Sequence, residues 1–454
     1  MKLPETFKKL ACHSIESRGW RCFFELNEVN LILRFFKKYD SELFLSESIS
    51  SILKYGFIDI DAPLSTNVRA FCRHSVALGM RNALFFKSTE DFFVIQDNYS
   101  FEGVYFPNRN IFLYSKGCMD PRSKIESLLR KFKVKEIFYH DYFDSDTKFG
   151  GVRVGHNSPY HYYYFKIPAL YRTIKIADDL GCPISVLTDP DGDFLSIKDV
   201  FGSSISSEFS YNFSDDIKEG GVPKEYDANC FYFIVGFRKN WVNLEVKSKI
   251  DYLVMNSGDR RFVDFLKYND TPNKTCFWFG VTSGKRFWLE EAETYISLIG
   301  KLSKKFDALF FIDGWTSSLT KSDDFPGEIK FDKDVEIADR IIDMVKEKYG
   351  ANALSLVGKS APEKISICRN VDFFFANHAT GSLWVSRVAK IPGVTHISNA
   401  ARGSAVSQHD HPHSKLIPSH LVRDVENTKD SDPFQISYSI ETEDFLQFFE
   451  TCGV

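Results

Sequence analysis

The chain has 454 residues, with 57 Lys+Arg against 61 Asp+Glu and 43% hydrophobic residues. That length is enough for two or three domains with large apolar cores, and a formal charge of -4 excludes a protein whose surface as a whole neutralises nucleic-acid phosphate. No nucleic-acid partner is expected. The first ten residues, MKLPETFKKL, lack the apolar run of a signal peptide, and no segment is long and apolar enough to span a bilayer, so a cytoplasmic location is expected. The nine cysteines are scattered without a CxxC pair, which favours buried thiols over a disulfide framework or a zinc site. The 44 Phe are spread along the chain in the manner of core filling.

In chain order, residues 1–55 read as mainly helical. Phe92 to Tyr114 is rich in aromatic and β-branched residues broken by turn pairs, which predicts antiparallel hairpins. Ile167, Leu170, Ile174 and Ala177 share one helical face, Gly181 is placed to cap it, and Pro183 to Leu187 follows as a strand. Tyr232 to Phe237 is a further strand, and the polar stretch Asn269 to Lys274 marks a domain boundary. Beyond it, apolar runs of strand length (Thr275 to Val281, Ala308 to Ile312, Leu354 to Val357, Val371 to Ala376, Gly393 to Ile397) alternate with runs of helical period. One of these helices begins with Glu290, Glu291 and Glu293 and ends with Lys301, Lys304 and Lys305, matching the helix dipole. Such alternation predicts βαβ units and parallel, Rossmann-like sheets. The expected domains are an α/β domain with accessory helical and hairpin segments over 1–270, a Rossmann-like domain over 271–435, and a final helix over 436–454. That helix carries Phe445, Phe448 and Phe449 on one face and is expected to pack on the first domain.

Ligands of open α/β sheets bind beyond the carboxyl ends of the strands, so the loops there hold the candidate residues. After the first strand of the second domain come Ser283, Gly284, Lys285 and Arg286, in which a permissive glycine, a hydroxyl and two cations precede a helix and suit a diphosphate; a solvated turn is the plainer alternative. After Val371 to Ala376 come His378, Thr380, Gly381 and Ser382, suited to phosphate or sugar, or simply to capping the next helix. Asp313 ends a strand, where it either meets a sugar hydroxyl or forms an Asp-Gly turn. In the first half, glycines precede a His- and Tyr-dense stretch in which His161, or failing that His156, is placed to take a proton from a hydroxyl; a histidine packed among tyrosines is the alternative. Asp189-Pro190-Asp191-Gly192 has the spacing of a metal-binding DxD and equally of a β-turn. His409, His411, His413 and His420 read as a surface loop, and the basic-aromatic run Leu128 to Phe138 as a solvated connection or a lipid contact. No metal site is expected.

The stretch Pro159 to Leu170 (PYHYYYFKIPAL) resembles a motif of family 61-like glycosyltransferases, and Asn377 to Ser382 with Trp384 and Ile391-Pro392-Gly393 is similar to their C-terminal element; Tyr162, Phe165 and Ala169 depart from the motif. The resemblance implies two Rossmann-like domains facing across a cleft, a GT-B arrangement, with a nucleotide sugar on the second domain and the acceptor on the first. It implies an inverting, metal-independent transferase with no cofactor beyond its nucleotide-sugar substrate. The acceptor would be a glycan or lipid-linked glycan in polysaccharide synthesis, met by peripheral contact at the inner face of a membrane. The alternatives are a metal-dependent GT-A-like transferase using Asp189 and Asp191, a polysaccharide pyruvyl transferase, and a non-catalytic glycan-binding protein.

Overall fold

The computed structural model describes residues 10–39, 41–116, 118–156, 158–189, 192–210, 222–236, 244–257, 274–284, 287–319, 328–408, 411, 413–425 and 435–452. The chain divides into two compact units, 1–193 with 197–250 and 194–196 with 251–454. The boundary expected at 269–274 falls outside the described residues up to 273. Both units are α/β and each contains a parallel sheet.

In the first unit, β1 (Ala11–Ser14), β2 (Ile58–Asp61), β3 (Arg69–Leu78), β4 (Arg81–Lys87), β5 (Phe92–Gln96), β6 (Gly103–Phe106) and β7 (Ile111–Tyr114) form one sheet in the order β1-β7-β6-β5-β4-β3-β2. All pairs are antiparallel except β1 with β7, so the expected hairpins are present. β1 corrects the mainly helical reading of the first 55 residues: four half-buried residues carry no alternation, and their partner is about a hundred positions away in sequence. Helices Pro121–Val134 and Glu136–Asp144 cover one face, with Leu128, Leu129 and Phe132 in the core beside Phe85, Phe93 and Phe112. Leu128, Leu129 and Phe132 of the basic-aromatic run are therefore core residues, Val134 and Ile137 are exposed, and Lys131, also buried, pairs with Glu225 at 3.3 Å. Among the described Phe rings, only Phe23, Phe71, Phe209 and Phe287 are exposed, and no described helix is long and apolar enough to cross a membrane.

The unit's second sheet holds β8 (Lys148–Val154), β9 (Ile184–Thr188), β10 (Ile205–Ser210) and β11 (Cys230–Ile234), all parallel, in the order β10-β9-β8-β11. The open edge of β11 meets a row of buried polar side chains from the first sheet. Ser75 Oγ accepts from Tyr232 N at 2.9 Å, and Asn82 Nδ2 donates to Tyr232 O at 2.8 Å. Gln96 accepts from Ile234 N at 3.0 Å and donates to Ile234 O at 3.2 Å, while Ser100 bonds both the N–H and the C=O of Gly236 at 3.0 Å. The Gln96 amide is fully used, since its oxygen also accepts from Asn82 Nδ2 at 3.0 Å and its nitrogen donates to Ser100 O at 2.8 Å. Side chains thus take the place of a neighbouring strand, as buried backbone groups require.

The second unit contains β12 (Thr275–Gly280), β13 (Ala308–Asp313), β14 (Asn352–Ser355), β15 (Phe373–Asn377), β16 (Gly393–His396) and β17 (Ser414–Leu416) in one wholly parallel sheet, ordered β14-β13-β12-β15-β16-β17. Numbered within the unit this is 3-2-1-4-5-6, the doubly wound order, whose switch point lies between β12 and β15. Helices Glu291–Lys305 and Glu328–Tyr349 pack on it through Tyr295, Ile299, Ala338 and Ile341, because their apolar residues recur at helical spacing. The final helix, Thr442–Glu450, was expected on the first domain; instead Phe445 and Phe449 enter this unit's own core, their rings 6.2 and 5.4 Å from that of Phe375.

Replacing Gln96 by Leu removes the partners of both Ile234 backbone groups from a dry interface. The variant is expected to lose about 2–4 kcal/mol, read as a lower urea midpoint; a wild-type midpoint would show that the ladder is dispensable.

Candidate functional site

The two loops singled out in the second half follow β12 and β15 and so flank the switch point. They touch there: a Cβ on Gly280 would lie 2.8 Å from the Ala376 Cβ, and one on Gly381 would lie 3.9 Å from Thr282 Oγ1. The first loop is held by two carboxylates that sequence reasoning missed. Glu291, at the start of helix Glu291–Lys305, accepts from Thr282 N at 3.0 Å. Asp334, on helix Glu328–Tyr349, accepts from both the amide and the hydroxyl of Ser283, and from Trp315 N at 2.8 Å. Burial pushes both carboxyls above their usual range, Glu291 far above it. Both Ser283 donors, expected to face a diphosphate, are therefore engaged within the chain. Gly284 has open space around it, while Lys285 and Arg286 lie outside the described residues.

Asp313 ends β13 as expected, but its carboxylate is buried and pairs with Lys364 at 2.6 Å. Lys364 also donates to Gly314 O, Trp315 O and Thr316 Oγ1, each at 3.0 Å. Burial lifts the Asp313 pKa to about 6, with Lys364 pulling against it. The expectation that Asp313 meets a sugar hydroxyl is corrected by this pairing: it pins the loop 314–316 from within.

In the loop after β15, His378 is buried, its Nδ1 lies 2.9 Å from Thr395 Oγ1, and its ring meets that of His411 edge-on at 4.6 Å. Ser382 is buried, donates to Ala379 O at 3.1 Å, and lies 3.1 Å from His411 Nε2. Thr380 opens the short 3-10 turn Thr380–Ser382, and the π-helix Leu383–Val388 follows. Of the histidine-rich stretch, His411 joins this loop, His413 and His420 are exposed, and His409 is outside the described residues.

Beneath the loops runs a buried chain of hydrogen bonds. Tyr295 Oη donates to Gly280 O at 3.3 Å and lies 3.1 Å from His396 Nε2; Tyr438 Oη lies 2.6 Å from His396 Nδ1 and accepts from Asn377 Nδ2 at 3.1 Å. The directions agree only if His396 carries its proton on Nε2 and accepts at Nδ1. Burial lowers its pKa to about 3, and burial likewise raises that of Glu291, whose carboxyl lies 4.0 Å away.

In the first unit, the order β10-β9-β8-β11 places a switch point between β8 and β11. The His- and Tyr-dense stretch follows β8. His156 Nδ1 accepts from Ser158 N at 2.9 Å, so in the neutral ring the proton sits on Nε2 and neither nitrogen is open to receive another. His161 is the better base: its Nδ1 is buried with no hydrogen-bond partner among the described residues, and its ring packs on His156 at 4.4 Å and Phe165 at 4.9 Å. Burial lowers His156 to about 2 and His161 to about 4, so both rings are neutral near pH 7.

Lys166, also unforeseen, is buried on the π-helix Tyr162–Lys166 and donates to Asp97 O at 2.6 Å. At the would-be DxD, Gly192 N donates to Asp189 O at 2.8 Å and the Asp189 carboxylate lies 3.4 Å from Arg153; Pro190 and Asp191 lie outside the described residues. Among the described residues no group of three His, Cys, Asp or Glu is arranged to hold a metal ion.

The folded pKa of His396 lies below its unfolded value near 6.5, so its contribution to stability is complete above pH 6.5 and is lost as pH falls toward 3. Relative to His396→Gln, which lacks the titrating group, the wild type should lose about 2 kcal/mol between pH 7 and pH 5. Paired denaturation curves at the two pH values measure this, and a constant difference would contradict a neutral buried ring.

No protein-family model matches the sequence, and no curated protein matches it. Among solved structures, the chain is similar to UDP-GlcNAc 2-epimerase from Methanocaldococcus jannaschii at 10% identity, covering 75% of this chain and 77% of that one, with a TM-score of 0.29. It is similar to E. coli ADP-heptose lps heptosyltransferase II at 10% identity, covering 77% and 86%, with a TM-score of 0.29. TarM gives 11% identity, covering 86% and 75%, with a TM-score of 0.21. At these TM-scores the likeness carries nothing about the chemistry of this chain.

Proposed function

We propose that the chain is a glycosyltransferase that moves a sugar from a nucleotide-activated donor to a glycan or lipid-linked glycan acceptor, with inversion and without a metal. One observation carries the reading: two polar loops lie on either side of the switch point of a 3-2-1-4-5-6 parallel sheet, the place where open α/β sheets bind ligands. The motifs at Pro159 to Leu170 and Asn377 to Ser382 support it through their resemblance to family 61-like enzymes. The donor is assigned to the second unit. There the backbone of Thr380 to Ser382, with Lys285 and Arg286 from the other loop, would take the charge that develops on the diphosphate as the C–O bond to the sugar breaks. With both Ser283 donors engaged by Asp334, the carboxyls of Asp334 and Glu291 suit donor hydroxyls rather than phosphate.

The acceptor is assigned to the first unit. His161, neutral and with an unengaged ring nitrogen, would take the acceptor's hydroxyl proton as its oxygen attacks the anomeric carbon. His156, protonated on Nε2, would serve as a donor that orients the acceptor.

Thermal denaturation of the full chain with UDP, GDP, CDP and CMP and their sugars tests the donor assignment. A cognate nucleotide at a hundred times its dissociation constant should stabilise by about 2.7 kcal/mol, and no response to any of them would sink the reading. His161→Ala should leave that response intact and slow transfer by about 10²- to 10⁴-fold; unchanged turnover would remove His161 from the mechanism.

A further inference from the structure

We propose that Lys166 is the seat of a bound anion, a phosphate or carboxylate group, at the carboxyl edge of the first unit's parallel sheet. Its side chain is 2% exposed, and among the described residues its Nζ makes one hydrogen bond, to Asp97 O, with no carboxylate in ion-pair contact. The nearby carboxylates are engaged elsewhere: Asp97 by Lys124 at 2.7 Å and Arg81 at 3.3 Å, Glu102 by Lys124, and Asp189 by Arg153 at 3.4 Å. A buried ammonium without a counter-charge is costly and is retained where a ligand supplies one.

The backbone favours the same conclusion. In an α-helix, residues five apart point about 140° apart around the axis, whereas the wider π-turn Tyr162–Lys166 brings His161 and Lys166 toward one face. His161 Nδ1 is a buried polar atom with no hydrogen-bond partner among the described residues. One anionic oxygen group would satisfy both, with His161 in its Nδ1–H form, so that ring nitrogen serves as a base only when the anion is absent. The charge state agrees, since burial lowers the Lys166 pKa to about 8 and Asp97, Glu102 and Asp189 pull it back, so the ammonium persists at neutral pH.

This seat stands apart from the transferase reading, because it needs neither a nucleotide nor turnover. The test is the melting temperature of the full chain in inorganic phosphate or acetate against chloride at equal ionic strength. The wild type should be stabilised by phosphate, by acetate or by both, and the preferred anion identifies the ligand class. Lys166→Met, which keeps the apolar stem, should weaken the apparent affinity about ten- to a hundredfold, while a Lys285→Ala/Arg286→Ala double variant should keep the response. A response unchanged in Lys166→Met, or absent from the wild type with both anions, overturns the inference, whatever the nucleotide screen shows. Should Lys166→Met fail to fold, the Lys166 ammonium signal in wild-type NMR spectra decides: phosphate or acetate must move its titration upward, and an unmoved signal refutes the seat.

Discussion

The open edge of β11 is the constraint on which the first unit depends. A parallel strand at the border of a buried sheet has N–H and C=O groups that must be paired without water. Here Ser75, Asn82, Gln96 and Ser100 pair them at alternate residues 232, 234 and 236, a spacing set by the two-residue repeat of a strand. The polar row fixes β11 in register against a second sheet. It also fixes the turn at 97–100, which bonds Gly236 through Ser100 and receives Lys166 on the carbonyl of Asp97. The candidate site is thus an extension of the device that joins the two sheets.

The second unit solves a related problem differently. Its six parallel strands need no side-chain substitute at the switch point, since β12 and β15 pair directly. Polar groups instead stabilise the loops that leave the strands: Glu291 and Asp334 hold the loop after β12, Lys364 and Asp313 the loop after β13, and the chain through Tyr295, His396 and Tyr438 connects the ends of β12, β15 and β16. A site built this way is rigid before any ligand arrives, which lowers the ordering cost of binding.

Much of this architecture was legible in the chain itself. The runs around Phe277, Phe310 and Phe374 are apolar on both faces and alternate with helical periods, which is the signature of a covered parallel sheet. Strand order was not legible, because pairing depends on partners far apart in sequence, and the same limit hid β1. Among site residues, His161 stood out by chemistry and surroundings. Glu291 was visible only as an acid suited to a helix dipole; its bond to Thr282 depends on the loop's path. Asp313 read as a ligand-facing acid because nothing nearby in sequence announces Lys364, fifty-one positions on. Lys166 has a signal in the sequence too: a lone cation in the aromatic run YYYFKIP, where a charge has no apolar reason to be.

The π-turn at Tyr162–Lys166 has a consequence for how such a chain can change over time. A π-turn accommodates one residue more than an α-turn without disturbing the helix on either side, so its existence is a matter of residue count as much as residue type. Removing any one of Tyr162, Tyr163, Tyr164 or Phe165 would let the helix close into regular α spacing, and His161 and Lys166, then four positions apart, would still share a face. A homologous sequence with the histidine and lysine four positions apart in a regular α-helix would therefore keep the pair on one face, whereas five positions without the π-turn would part them, so helix length and helix type at this place have to change together.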